Sequence, residues 1–272
     1  MQRKVQHAGT FYPRFANHLK SDIEEWTAGF PEPERKGRTI ALIVPHAGYM
    51  YSGKCAAKGF HSISNEHIET FIILHPSHQG NSFDVSVSPF DSYETPLGDI
   101  MLDEELADYF SGFYPQTIHD GYHQREHSME IQLPLIKQYF PQAKICPIMF
   151  GRQTPEVSEE LATILYGLFM KNEKPIALVV STDLSHYHPA AVANELDRVV
   201  QQHVLDLDAD SLWADSLIDD CEACGIGGLM TALKMAKLFS AARSEIIEYT
   251  HSGRVSGNNS QVVGYLAARI SV

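Results

Sequence analysis

Short apolar runs alternate with longer amphipathic runs along this chain of 272 residues. Four of the short runs are rich in β-branched residues, and they predict strands that are buried on both faces. These runs cover residues 39–45, 70–75, 143–150 and 175–181. A fifth run, residues 82–90, alternates apolar and polar positions and predicts a strand with one wet face.

The longer runs place their apolar residues at helical intervals. They predict helices over residues 52–63, 103–110, 128–140, 155–170, 189–207 and 225–239. Pro134 is expected to confine the third of these helices to the residues after it. A polar turn and a last strand are expected over residues 255–270. Because strands alternate with helices and no repeat or linker is visible, the sequence predicts one α/β domain over residues 1–272. Its central sheet should be largely parallel or mixed and flanked by helices.

The charge balance limits the possible partners. The chain has 21 Lys and Arg against 34 Asp and Glu, a formal net charge of −13. An acidic surface repels phosphate, so neither nucleic acid nor an anionic membrane is an expected partner. No apolar run approaches the ~18 residues of a membrane span, and no secretory signal is recognisable. Four cysteines are too few for a disulfide framework, which favours reduced thiols and a cytoplasmic location.

Polar groups capable of proton transfer or metal binding follow three of the predicted strands. They are His46 after the first strand, His75 and His78 after the second, and Asp183, His186 and His188 after residues 175–181. If these strands are parallel, their carboxyl ends share one edge of the sheet, where ligands bind in open α/β folds. Four other histidines lack such a context and are expected at the surface: His61, His67, His119 and His203.

A second pattern lies in the run HDGYHQREHSMEIQLP, residues 119–134. His123, Glu126 and His127 have the H-x-x-E-H spacing of one class of zinc peptidase. On one helix the two histidines could bind zinc while Glu126 acts as general base. A nearby glycine and proline leave little room for that helix, and no later acidic ligand is recognisable. The alternatives are charged groups that cap a helix beginning at Ser128, or an acid/base or substrate contact in the histidine site.

The run CEACGIGGL contains a single C-x-x-C pair, Cys221 and Cys224. A structural zinc site would need two such pairs, so the alternatives for this single pair are a thioredoxin-like redox pair or, for Cys224, an inert buried thiol. Cys224 is expected near a helix N-terminus, where the dipole lowers the pKa of a thiol and favours the thiolate that binds metals. The glycine-containing turns match no phosphate-binding pattern.

Eight runs point to a known family. They are HAGTFYP (7–13), VPHAGYMYSG (44–53), HPSH (75–78), TPLGD (95–99), EHSMEIQLP (126–134), STDLSHY (181–187), CGIGG (224–228) and VVGYLAA (262–268). In these runs, which span nearly the whole chain, the sequence resembles the Memo family, often described as AmmeMemoRadiSam system protein B. The resemblance implies a fold similar to that of class III extradiol dioxygenases, single-domain α/β proteins with non-haem iron.

The resemblance also implies roles for individual residues. The metal ligands would be His46, His78 and Cys224. His186 matches the acid/base histidine of the dioxygenases, and Asp183 and His127 match polar positions of the same pocket. The cofactor would be iron (Fe²⁺) or copper, with zinc possible, because a thiolate is a softer ligand than the usual carboxylate of non-haem iron sites.

This chain departs from the family pattern at His75, His188 and Cys221, whose roles the sequence leaves open. The leading hypothesis is a metal-binding protein with a His/His/Cys site and redox or oxygen-dependent chemistry on a small substrate. The alternatives are a non-catalytic peptide-binding or metal-carrier protein and a zinc-dependent hydrolase that uses the H-x-x-E-H run. The resemblance further implies a pathway link to AMMECR-type and radical-SAM proteins.

Overall fold

The computed structural model describes residues 1–33, 37–114, 120–171 and 174–272. Within them the strands are β1 (Gln2–Arg3), β2 (Thr39–Val44), β3 (Thr70–Pro76), β4 (Val85–Val87), β5 (Ser92–Tyr93), β6 (Ile100–Met101), β7 (Lys144–Phe150), β8 (Ile176–Ser181), β9 (His186–His188), β10 (Arg243–His251) and β11 (Val262–Ser271). The helices are α1 (Ala16–Thr27), α2 (Tyr49–Ser62), α3 (Glu104–Ser111), α4 (Asp120–Arg125), α5 (His127–Glu130), α6 (Leu133–Tyr139), α7 (Pro155–Lys171), α8 (Ala190–Asp206), α9 (Ala209–Ser216), α10 (Ile226–Lys237) and α11 (Gly253–Ser256).

The main sheet is mixed, with a parallel centre. Its strand order is β10-β11-β2-β8-β3-β7-β4, and β9 pairs with β11 outside this path. The strands β2, β8, β3 and β7 are parallel, whereas β11 and β4 run antiparallel to their neighbours. Helices cover the sheet, with α2 against β2 and β11, and α10 against β8 and β3. The predicted α/β fold with a mixed central sheet flanked by helices is therefore confirmed.

The central strands follow the continuous apolar runs. Every residue of β2, β3 and β8 is buried, as expected for parallel strands covered on both faces. The expected wet face of residues 82–90 is wrong, because all of β4 is buried. Ser86, the polar residue of this strand, contacts Nε2 of His123 through its hydroxyl and therefore faces protein rather than water.

The helix predictions hold except near Pro134. This proline lies in the first turn of α6, but the short helix α5 precedes it, so the proline does not mark the first helical residue of the segment. The sequence patterns did not predict the helices α1, α4, α9 and α11 or the strands β1, β5, β6, β9 and β10. Strand β10 is half-buried over most of its length, and so it has no continuous apolar run.

The histidines expected at the surface differ in exposure. His67 is exposed and His61 and His203 are half-buried, whereas His119 lies outside the described residues. In the described part of the chain, we find no helix that combines the length and the apolarity needed to cross a membrane.

Candidate metal site at the carboxyl end of the sheet

The three polar clusters predicted at strand ends do converge. Strands β2, β8 and β3 are parallel neighbours in the sheet, so the residues that follow them emerge at one edge. One ligand atom from each of His46, His78 and Cys224 lies within 4.8 Å of the others. The imidazole rings of His46 and His78 lie 5.4 Å apart, nearly perpendicular to each other. The structure therefore brings together the side chains that the family resemblance implies as ligands.

His46 is held with one ring nitrogen facing the cluster. Its Nδ1 lies 2.9 Å from the hydroxyl oxygen of Ser181. That hydroxyl donates its single proton to the carbonyl oxygen of Ser128 at 2.7 Å, so it must accept from His46. Nδ1 therefore carries the proton, and Nε2, 3.2 Å from the sulfur of Cys224, presents a lone pair. Burial, together with the charges of the nearby histidines, lowers the pKa of His46 well below its usual value and keeps the ring neutral.

His78 is oriented by the buried carboxylate of Glu126. Oε1 of Glu126 lies 2.7 Å from Nδ1 of His78, and Oε2 accepts the backbone N–H of His78 at 2.6 Å. A carboxylate that binds Nδ1–H leaves Nε2 available as a ligand and makes it more basic. Burial by itself lowers the pKa of His78, but the hydrogen bond and charge of Glu126 outweigh it and raise this pKa above its usual value.

Cys224 supplies the sulfur from the loop that leads into α10. The predicted position is confirmed, since Cys224 lies just before Gly225, the N-cap of this helix. Its sulfur accepts the backbone N–H of Asp183 at 3.1 Å. The expected lowering of its pKa is wrong: burial and the charge of Asp183 raise the pKa of the Cys224 thiol well above its usual value. A bound cation reverses this balance, because a coordinating thiol loses its proton.

Asp183 connects two of these residues. Its Oδ1 accepts the backbone N–H groups of His46 at 2.8 Å and Ala47 at 3.2 Å, which fixes the turn that follows β2. Its own N–H binds the sulfur of Cys224. Burial raises the pKa of Asp183 to about 6, against an ordinary value of 3.8. This carboxyl group can therefore hold or release a proton near neutral pH.

Replacing Asp183 with asparagine should stabilise the protein at high pH. Because the pKa is raised in the folded state, ionisation opposes folding, and the cost grows from pH 3.8 and is complete above about pH 6. We expect Asp183→Asn to increase the free energy of unfolding by about 1 to 3 kcal/mol at pH 8. At pH 4 this advantage over the wild type should be lost. Denaturant unfolding of both proteins at the two pH values measures this, and a difference that does not depend on pH would contradict it.

His127 lies beside the two candidate histidine ligands. Its ring centroid is 4.5 Å from that of His78 and 5.4 Å from that of His46. On the outer side it contacts the ring of Phe11, at 4.9 Å. Burial, followed by the charge of His78, lowers the pKa of His127 to about 4, so the ring is neutral at pH 7. A neutral imidazole here can contact a substrate or accept a proton.

His186 lies at the edge of the site in β9. Together with Cys224 it lines an open cleft of about 340 Å³. Its backbone N–H donates to Glu222, and the other carboxylate oxygen of Glu222 lies 2.7 Å from Nε2 of His188. His188, whose role the sequence left open, thus contacts the same carboxylate that binds the backbone of His186.

The H-x-x-E-H run does not form the helix that a zinc peptidase requires. Helix α4 ends at Arg125, the backbone of Glu126 is extended, and α5 begins at His127. The ring of His123 is buried and bonded to Ser86, so it does not face His127 across one helical turn. Glu126 instead caps α5 by accepting the N–H of Ser128, as the capping alternative predicted.

The other two unassigned positions have structural contacts. Nδ1 of His75 lies 3.0 Å from the hydroxyl of Ser128 in the interior. Cys221 is buried, with its thiol against the carbonyl oxygen of Leu212. All four cysteines are free thiols, and Cys221 and Cys224 make different contacts.

The glycines that follow Cys224 do not bind phosphate in this arrangement. The N–H group of Gly225 donates to Thr182, and that of Gly227 donates to Gln153.

Sequence reasoning missed the residues that orient the ligands. Ser181 and Gln132 are ordinary polar residues in the sequence, but Gln132 donates to both Ser181 and the carbonyl oxygen of Pro45, next to His46. Glu222, which contacts His188 and the backbone of His186 rather than a ligand, was not predicted either. Gln132 lies in the run EHSMEIQLP and Ser181 in the run STDLSHY, and their place in these family-like runs was the sign of a role at the site.

The geometry defines an α/β protein with a candidate His/His/Cys metal site at the carboxyl edge of its sheet. A profile of the Memo-like protein family matches residues 3–269, so the chain belongs to this family. A MEMO1 family protein of Methanosarcina barkeri is 35% identical over 266 residues, which cover 97% of this chain and 98% of the relative. Another from Sulfurisphaera tokodaii is 37% identical over 276 residues, with 96% of each chain covered. An uncharacterized protein of Escherichia coli K12 aligns with 86% of this chain and 100% of its own, at 12% identity and a TM-score of 0.48.

Proposed function

We propose that the protein binds iron or copper through His46, His78 and Cys224 and uses it in redox or oxygen-dependent chemistry on a small substrate. The observation that carries this proposal is the approach of three soft or borderline ligand atoms within 4.8 Å. Both histidines have Nδ1 occupied by a hydrogen-bond partner, which leaves Nε2 for a metal. Preset tautomers of this kind are typical of metal-binding histidines.

The donor set fits a transition metal. Two imidazoles and one thiolate suit iron, copper or zinc, and they leave coordination positions open. The raised pKa of the Cys224 thiol means that, without a cation, this sulfur is a poor nucleophile. A bound iron or copper ion would supply a binding position for substrate together with one-electron chemistry.

The surrounding side chains provide proton transfer. His186 is our choice for the acid/base residue because it lines the same cleft as Cys224. Asp183, with a pKa of about 6, fixes the turn at His46 and tunes the charge beside the sulfur. His127 is neutral at pH 7 and lies next to both histidine ligands, where it would orient a substrate.

Metal analysis of anaerobically purified protein tests the binding site. We expect about one equivalent of iron or copper in the wild type and a loss of this metal in His46→Ala, His78→Ala and Cys224→Ser. Cys55→Ser is a matched control, because Cys55 is a buried thiol outside the candidate ligand group. Full metal content in the three ligand variants would contradict the proposed site.

Oxygen consumption tests the chemistry separately. Metal-loaded protein is offered a panel of catechols, and His186→Ala is compared with the wild type. We expect the variant to lose turnover while it retains metal, because His186 is outside the ligand set. A wild-type protein that binds metal but consumes no oxygen with any catechol would favour the metal-carrier alternative.

A further inference from the structure

Arg3 is a buried cation far from the metal ligands in sequence but closely connected to the segment that orients one of them. Only 1% of its surface is exposed. Its Nε donates to the carbonyl oxygen of His123, and Nη2 donates to those of Gln124 and Glu126, each at 2.9 Å. Its Nη1 lies 2.6 Å from the carboxylate of Glu130. All of these partners lie within eight residues of the chain.

These contacts explain how the chain leaves the helix at Glu126. An α-helix that stops leaves carbonyl groups without their usual N–H partners. Helix α4 stops at Arg125, and Glu126 has φ −73° and ψ 125°, outside the helical region. The guanidinium of Arg3 binds the carbonyl groups on both sides of this break. The break is what directs the carboxylate of Glu126 towards His78.

The rest of the N-terminal segment, residues 3–12, is fixed by the same ion pair. Oε1 of Glu130 accepts the N–H of His7 at 2.8 Å and the hydroxyl of Tyr12 at 2.7 Å. Phe11 then packs against the ring of His127, and its carbonyl oxygen accepts the N–H of Tyr49, at the start of α2. The N-terminal segment therefore contacts both the His127 side and the His46 side of the site.

We propose that Arg3 is a positioning residue for the metal site, acting through Glu126 on His78. This inference rests on the proposed metal-binding function. Lysine would keep a positive charge beside Glu130, but a single ammonium group cannot reproduce the planar fork that binds three carbonyl groups. The orientation of Glu126 would loosen and the preset Nε2 of His78 would be lost. Changes of this kind behind a metal ligand typically weaken binding about 10- to 100-fold.

The test is an anaerobic absorption titration of the metal-free protein with Co²⁺, in which the sulfur-to-cobalt charge-transfer band reports bonding to Cys224. We expect Arg3→Lys to bind Co²⁺ about tenfold more weakly. The band per bound ion should be unchanged, because Cys224 is held by the backbone of Asp183 rather than by Arg3. If Arg3→Lys fails to fold, Tyr12→Phe provides a second variant. It removes one hydrogen bond to Glu130 and should cause a smaller loss of Co²⁺ affinity.

Arg269→Lys is the matched control. Arg269 is also a buried arginine, 3% exposed. It donates to Glu66 and to Thr39, the first residue of β2, at the end opposite His46. The Arg269→Lys variant should have a lower unfolding temperature but a Co²⁺ affinity within about twofold of the wild type, because Arg269 does not contact the residues around the metal ligands. Equal weakening in both lysine variants would overturn the inference, because it would show a general effect of reduced stability.

A double-mutant comparison identifies the route. In a Glu126→Gln background, Arg3→Lys should cause no further loss of Co²⁺ affinity, because the carboxylate through which it acts has been removed. An additional tenfold loss would overturn the positioning role. If the wild-type protein binds neither Co²⁺ nor any metal in the anaerobic analysis, the metal-binding function itself fails. If the wild type binds metal and Arg3→Lys binds it with the same affinity, only the positioning role of Arg3 fails.

Discussion

Replacing Glu126 with glutamine is expected to weaken metal binding about 100-fold, the upper end of the range for residues that orient a ligand. The carboxylate is fully buried and binds both Nδ1 and the backbone N–H of His78. Glutamine keeps the size of the side chain but removes the charge. An amide has one oxygen instead of two, so glutamine cannot accept the ring N–H and the backbone N–H of His78 on separate oxygens. The ring of His78 therefore loses its fixed tautomer.

The same substitution should move the pKa of His78. In the wild type, Glu126 raises this pKa above its usual value against the opposing effect of burial. Without the carboxylate, burial is opposed only by the weaker effect of the Asp183 charge, and the pKa should fall below 6.5, the ordinary value. An NMR pH titration of the metal-free protein measures this shift, and a titration with Fe²⁺ or Co²⁺ measures the affinity.

Glu222→Gln provides the matched control for this experiment. Glu222 makes a comparable contact, 2.7 Å from Nε2 of His188, but His188 is outside the ligand group. Its replacement should leave metal affinity within about twofold. A Glu126→Gln variant that retains metal but loses hydrolysis of a peptide library would contradict the orienting role and favour a zinc hydrolase.

The interrupted segment around Glu126 shows where sequence reasoning stops. The H-x-x-E-H spacing is a local pattern, and read locally it places His123 and His127 on one helix. At the break, Arg3, 123 positions earlier in the chain, binds the carbonyl oxygen of Glu126. No local window contains both residues, so the capping alternative could predict a helix that begins after Glu126, but not the contact with Arg3 or the orientation of Glu126 towards His78.

The strand ends behave differently because their chemistry follows from topology. Continuous apolar runs identified β2, β3 and β8, and parallel pairing of such strands places the residues after them at one edge. The convergence of His46, His78 and Asp183 was therefore predictable. The choice of nitrogen on His46 was not, because it depends on the single hydroxyl proton of Ser181 and on its partner at residue 128.

Replacing Gly225 with alanine is expected to lower the free energy of unfolding by about 3 kcal/mol and to weaken metal binding at the same time. A Cβ atom at this position would lie 2.5 Å from the carbonyl oxygen of Ser181 and 2.8 Å from Cβ of Thr182. Both atoms belong to the buried end of β8 or the residue after it, and neither can move easily. The start of α10 must therefore move away from the sheet.

That movement should carry Cys224 with it, because the two residues are adjacent in the chain. The sulfur would leave its positions 3.2 Å from Nε2 of His46 and 3.1 Å from the N–H of Asp183. Gly167→Ala in α7 is the control, since nothing lies within 4 Å of its added methyl group and alanine should stabilise this helix by about 0.5 to 1 kcal/mol. Denaturant unfolding and Co²⁺ titration of both variants separate the effects. Reduced stability with an unchanged charge-transfer band and affinity would show that the thiol keeps its place without the close approach of α10 to β8.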